Sequence, residues 1–388
     1  MIPSKLVPPS AIWRVLPFIL CMALPNAARG DWAWEAVPKL VNEFAYDDNI
    51  LYEGESGLEY QLSPAILLSG QDRRTGANLS ARLAVFRYLT DSGVRSDFNR
   101  TNQYYATDVL HQAARRLTVG AFASLSITDS TTQAIEETGI AADDSKVHAF
   151  TIGSRANWGL DRLSSLSLSY GLDGYIYESG NFSDSLRHKV SLGLTRSLDA
   201  RTSGSVTTSY ENYRFNIGEN DTATSHTGAL YFGLGHAFSS RLLAEASLGG
   251  GVVHSDQSED SSYNALGSAS LSYSWRQADA RFALSRSYER SVLDEVLLVD
   301  AVTLGTSYRP LEDLALSVGA VYRQSQSTDS DDAEVSDYFS VYESVGYALS
   351  QNWTLSLSHT YSHVDSLSDE QGSNRFILSI SWAKAFPL

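Results

Sequence analysis

An all-β fold, specifically a transmembrane antiparallel up-and-down β-barrel of about 18 strands behind a cleaved signal peptide, is predicted by three features of the sequence. Apolar and polar residues alternate with period two through most of the chain. Short and long connections between these segments alternate strictly. Stretches with a 3.6-residue period are hard to find, and Ser, Thr, Gly and Tyr dominate where an ordinary domain would use Ala, Leu, Glu and Lys.

The first element is not part of the barrel. Lys5 and Arg14 precede an apolar run over residues 15–24, and Ala28-Arg29-Gly30 supplies small residues where a signal peptidase cuts. Residues 1–30 therefore read as a secretory signal peptide and residues 31–388 as the barrel. No later stretch reaches the roughly 18 unbroken apolar residues of a membrane helix. The single cysteine, Cys21, lies in the removed segment, behind Leu20 where a lipoprotein signal calls for a smaller residue. The mature chain then has no disulfide and no cysteine metal site, which suits passage through an oxidising periplasm. A net charge of −16 offers no basic face for nucleic acid.

Tight turns fall near residues 71–76, 113–116, 160–162, 199–201, 239–241, 277–279, 311–313 and 350–352, a spacing of roughly 40 residues. Longer polar connections fall near residues 47–57, 91–98, 129–146, 178–185, 218–223, 255–261, 289–295, 327–335 and 365–372. That asymmetry matches periplasmic turns and extracellular loops, with both termini in the periplasm. Asp and Glu are concentrated in the long connections, so the outer rim is expected to be negative. This serves solubility, or the capture of cations and divalent bridging to lipopolysaccharide.

Individual segments justify the strands. Leu166, Leu168, Tyr170 and Leu172 oppose Ser165, Ser167, Ser169 and Asp173; Leu242, Ala244, Ala246 and Leu248 oppose Glu245, Ser247 and Gly249. The closing hairpin is the clearest: Trp353, Leu355, Leu357, His359 and Tyr361 share one face, and Phe376, Leu378, Ile380 and Trp382 share the face that returns beside it. Its apolar middle and aromatic ends fit a lipid-facing band with interfacial girdles, whereas a soluble sandwich has no need of the girdles. The terminal strand also resembles the signal read by the barrel-assembly machinery. Three segments fit less well. Residues 102–112 alternate weakly, Arg286 falls on the apolar face, and so does Glu343, where a bulge would spare a cost of about 2 kcal/mol near the midplane.

Charges on the wet faces make the lumen hydrated: Arg82, Arg155, Lys189, Arg281 and Arg323 stand against Glu43, Asp173, Glu211 and Glu245. A soluble closed barrel would fill that face with branched apolar side chains.

Residues 37–50 (VPKLVNEFAYDDNI) and 58–68 (LEYQLSPAILL) resemble the opening of a family of outer-membrane β-barrel porins, which includes barrels accompanying exosortase and exopolysaccharide systems of Gram-negative bacteria. The Tyr46-Asp47-Asp48-Asn49 turn and the strand holding Pro64 carry the resemblance; the rest agrees in architecture only. It implies an outer-membrane barrel, in some members serving polysaccharide export with a periplasmic export protein as partner, and it supplies no catalytic residues. The expected function is thus a passive porin or the outer-membrane exit of a secreted polysaccharide. The alternatives are a structural or adhesion barrel with an acidic loop face and, behind that, an outer-membrane hydrolase. His359 and His363 share a strand, but their parity puts them on the lipid face or rim, so no catalytic site is expected. Asp329-Ser330-Asp331-Asp332 lacks the glycine and final glutamate of a calcium loop, so no metal and no cofactor is expected. The third long connection, residues 129–146, is the longest, and general porins fold their third loop inward. Its Asp129, Glu136, Glu137, Asp143 and Asp144, opposed by Lys146 alone, would make a cation-selective constriction there.

Overall fold

A computed structural model describes residues 32–49, 56–90, 100–129, 146–178, 183–216, 222–256, 261–291, 295–328, 335–366 and 369–388. Residues 1–30, read as a signal peptide, lie outside the described residues. Within them the chain forms β1 (Ala33–Asp47), β2 (Gly57–Gln71), β3 (Thr75–Thr90), β4 (Thr101–Ala114), β5 (Leu117–Asp129), β6 (Lys146–Gly159), β7 (Ser164–Tyr177), β8 (Ser185–Ser197) and β9 (Thr202–Asn216). The second half contributes β10 (Thr222–Ala237), β11 (Leu242–Ser255), β12 (Ser261–Ser274), β13 (Ala278–Arg290), β14 (Val296–Leu311), β15 (Leu314–Ser327), β16 (Val335–Ala348), β17 (Trp353–Ser366) and β18 (Asp369–Ala383). A two-residue β19 (Phe386–Pro387) continues the edge of β18.

Each strand pairs antiparallel with the next, and β1 pairs with both β2 and β18, so the sheet closes on itself as an 18-stranded barrel. Closure leaves no sheet edge along the seam, where Lys39 to Asp47 pair with Ala383 back to Arg375. The strands reach 13 to 16 residues, more than the roughly 9–11 that cross a hydrocarbon core. The wall therefore stands taller than the apolar band on it. The weakly alternating segment 102–112 belongs to β4, whose register with β5 shifts between Gln112 and Ala114 at the turn end. The last long connection is shorter than its sequence suggests, since β17 and β18 stay paired out to Ser366 and Asp369.

Alternation gives each strand two faces. Phe44, Leu168, Tyr210, Phe232, Leu248, Leu304, Leu357 and Phe376 stand exposed on the outer one. The other carries the charged groups, and contacts between strands far apart in the sheet lie on it, so it faces the lumen. Glycines let rings lie flat on the wall: a Cβ at Gly70 would sit 2.6 Å from the Trp34 ring, so the indole covers the backbone at the turn end.

Four of the tight turns share one local device. The Asp72 carboxylate accepts hydrogen bonds from the backbone N–H groups of Arg74 (2.6 Å) and Thr75 (2.5 Å), Asp161 from those of Leu163 (2.6 Å) and Ser164 (2.8 Å), and Asp199 from those of Arg201 (2.7 Å) and Thr202 (2.8 Å). Ser239 does the same with its hydroxyl toward Arg241 and Leu242, both at 3.1 Å. Such side chains reverse the backbone by standing in for a carbonyl. These backbone donors hold the three carboxyls below the ordinary Asp range. A depressed folded-state pKa stabilises the fold above the unfolded value of about 3.9, and that contribution fades as pH falls through the folded value. We expect the denaturant midpoint of the micelle-bound protein to drop between pH 6 and pH 3, and by less when Asp72, Asp161 and Asp199 are all changed to Asn. An identical drop in both proteins would show that the turns do not titrate with folding.

Candidate functional site

The lumen wall over β7, β8 and β9 carries a connected charge network because Asp173, Arg187, Lys189 and Glu211 fall on inward positions of neighbouring strands. Arg187 meets Asp173 at 2.9 Å and Glu211 at 3.4 Å, Lys189 meets Glu211 at 2.7 Å, and the Tyr213 hydroxyl donates to Glu211 at 2.6 Å. Three further pairs line other parts of the wall: Arg155 with Asp108 at 2.6 Å, Arg323 with Glu289 at 2.5 Å, and Arg375 with Glu59 at 2.5 Å. Glu43, Arg82, Glu245 and Arg281 stand on inward positions without an ion pair among the described residues. Sequence reasoning missed Glu59, Asp108 and Glu289, because the partner of an inward charge is set by strand register rather than by local sequence.

Among the described residues, the β13–β14 hairpin reaches into the lumen. β12 pairs with β13 only from Gly267↔Arg286 to Ser274↔Asp279, whereas β13 keeps pairing with β14 out to Arg290↔Val296. Beyond Arg286 β13 thus parts from β12, while β14 stays paired with β15 out to Leu297↔Ser327, and the described end of the hairpin, Arg290 and Val296, bends into the barrel. The Arg290 guanidinium sits 3.6 Å from the centre of the Tyr175 ring on β7, six strands away, a contact that must cross the lumen. Val296 packs with Tyr213 and Phe215 of β9, Ala223 of β10 and Val253 of β11, with Tyr288 against them. Gly251 makes room, since a Cβ there would lie 2.6 Å from both Leu266 and Tyr288. Val296, Leu297, Leu298 and Val299 are all buried, an unbroken apolar run in which, unlike Ala65 to Leu68 of β2, every side chain is buried. That run is the signal by which the sequence marks a segment covered on both faces. A recess of about 260 Å³ remains between Asp173 and Arg187 on one side and Glu289 and Arg290 on the other.

Asp129 ends β5, and Glu136, Glu137, Asp143 and Asp144 lie outside the described residues.

Glu343 and Arg286, which the sequence sets on the apolar face, do face outward, as their parity requires. No bulge re-aims Glu343, because β16 runs in unbroken register with β15 and β17. Its carboxylate instead meets the ring of His359 at 3.1 Å, and that ring stacks on Phe376 at 4.3 Å. His359 is therefore a shield for Glu343 rather than part of a lumen site. Arg286 faces Asp300 at 3.5 Å where β13 parts from β12. Among the described residues no three His, Asp or Glu side chains gather as a metal site.

A closed, antiparallel 18-stranded barrel with a charged lumen and an inturned hairpin is the class of structure these features define. No protein-family model and no curated protein matches the chain. Among solved structures it is similar to OpdO of Pseudomonas aeruginosa, at 12% identity over 91% of this chain and 97% of that one, with a TM-score of 0.50. It is likewise similar to the FrpB iron transporter from Neisseria meningitidis (F3-3 variant), at 9% identity over 89% of this chain and 63% of that one, also with a TM-score of 0.50. At such identities the likeness is one of fold.

Proposed function

We propose that the chain is an outer-membrane pore of a Gram-negative bacterium, with its tight turns in the periplasm, its long acidic connections outside, and its outer mouth closed down by the β13–β14 tip. The observation that carries this reading is the pairing of an apolar outer wall with a lumen wall rich in charge, since a closed barrel filled for stability alone has no use for an ionised interior. Sharing a fold with a protein described as an iron transporter supports a transport role. The more specific reading is the exit of a secreted exopolysaccharide, working with a periplasmic export protein and inserted by the barrel-assembly machinery. Lipopolysaccharide would then surround the acidic rim. The apolar tip favours one second reading, a structural or adhesion barrel whose mouth stays shut.

Planar-bilayer recordings separate the two: steady or switching conductance supports the pore, and a silent barrel in every condition supports the structural reading. The acidic connection at residues 129–146 is proposed to make the mouth cation-preferring through its negative potential. Glu136→Gln with Glu137→Gln should move the reversal potential under a salt gradient toward zero, and an unmoved potential would place selectivity elsewhere.

A further inference from the structure

A second region of the lumen wall has the opposite character to the paired network on β7–β9. Register places Lys39, Ala65, Arg82, Tyr104 and Ser126 side by side across β1 to β5, all pointing inward. One pleat nearer the turn end, Val37, Leu67, Ser80, Ala106 and Ser124 form a parallel inward row. Together the two rows line a recess of about 640 Å³.

What distinguishes this recess is that its polar groups are not used by the fold. Elsewhere on the wall, inward serines pair across strands, as Ser169 with Ser191 at 2.6 Å, Ser247 with Ser268 at 2.8 Å and Ser356 with Ser379 at 2.6 Å. Ser80, Ser124 and Ser126 hydrogen-bond to no other described side chain. Lys39 and Arg82 make no ion pair among the described residues, unlike Arg155, Arg187, Lys189, Arg323 and Arg375. Arg82 is nevertheless held in place, with its guanidinium 4.0 Å from the centre of the Tyr104 ring, so its N–H donors are oriented but open. Glu35 and Glu43 stand four residues to either side of Lys39 on the same face of β1, beyond the two rows, and neither forms an ion pair with Lys39 or Arg82 among the described residues.

We propose that this recess is a binding subsite for an anionic saccharide, a sugar unit or short run of units bearing carboxylates. The assignment rests on the pore reading above and deepens it. Two cations whose strands are about 10 Å apart, at two strand spacings, meet carboxylates on a chain rather than one small ion. The open serine hydroxyls meet sugar hydroxyls, and the small apolar floor of Ala65 and Ala106 meets the C–H faces of the rings. A purely aromatic acid would leave those hydroxyls unused, and a neutral glycan would leave both cations unpaired.

Fluorescence anisotropy of labelled trigalacturonate with the full chain in detergent micelles tests this without requiring the pore to conduct. Saturable binding is expected, displaced by unlabelled trigalacturonate at a concentration about tenfold below that needed of maltotriose or of the non-sugar tricarboxylate tricarballylate. Lys39→Gln with Arg82→Gln should abolish that preference and leave heat-modifiable migration unchanged. Ser124→Ala with Ser126→Ala should weaken trigalacturonate while leaving tricarballylate untouched. Equal competition by tricarballylate would reduce the recess to a general anion site, and equal competition by maltotriose or a preference retained in the double variant would overturn it. Conductance without binding rejects the subsite and leaves the pore. Binding without conductance rejects the pore and leaves the subsite.

Discussion

A chain cut before Phe376 fails to assemble. The cut removes the part of β18 that pairs Lys39 to Tyr46 on one side and Trp353 to His359 on the other, together with the β19 continuation. β1 and β17 then present open edges, and each backbone group left unmet in hydrocarbon costs several kcal/mol. No rearrangement of the remaining strands recovers that, because closing a smaller barrel would change the register everywhere. The expected outcome is complete loss of the heat-modifiable band and accumulation of an unfolded periplasmic chain. A truncated protein that migrates as a folded barrel would refute the role of this seam.

Releasing the hairpin tip should have the second-largest effect, on conduction rather than on folding. Val296 and Leu298 are almost wholly buried, at 0% and 4% exposure. Val296→Asp with Leu298→Asp would bury one carboxylate in the apolar cluster and a second beside it, a cost of several kcal/mol that the tip avoids by swinging back toward the mouth. Below Arg286 and Asp300 the hairpin still pairs with β12 and β15, so the barrel stays closed. Single-channel conductance should rise several-fold, and Arg290 should become open to trypsin in the folded protein. Exposed Arg290 with unchanged conductance would mean that the tip does not limit the pore. Arg290→Ala, which removes the contact with Tyr175 and leaves the apolar packing of Val296 in place, is expected to raise the open probability more modestly, in line with a cation–π contact of about 0.5–2 kcal/mol.

Much of the wall is legible in the sequence because a barrel repeats one rule. Period-two alternation and the alternation of short and long connections place the turns at residues 71–76, 160–162, 199–201 and 239–241, where the structure also turns. What resists reading is whatever breaks the rule for a reason located elsewhere in the barrel. Val296 at the head of the apolar run is buried because β9, β10 and β11 cover it from across the lumen, and strand-by-strand reading has no access to that contact. Glu343 is tolerated outside because His359 stands opposite in register, a pairing that a bulge would have destroyed. Among the candidate lumen charges, Asp173, Lys189 and Glu211 share one network, while Arg82 stands in a different recess with Lys39. Sequence puts all four on a wet face, but the two groupings follow from which strands are neighbours.

Single-cysteine labelling in intact cells tests most directly whether the chain is a membrane-spanning barrel with its long connections outside. Cys21 is the only native cysteine, and the proposed signal cleavage removes it, so an introduced thiol reports alone. Asp331→Cys, in the connection between β15 and β16, should react with a membrane-impermeant maleimide on whole cells. Asp199→Cys, in the turn between β8 and β9, should react only after the outer membrane is opened. Labelling of the Asp199 position in intact cells, or of neither position until the cells are broken, would contradict the account.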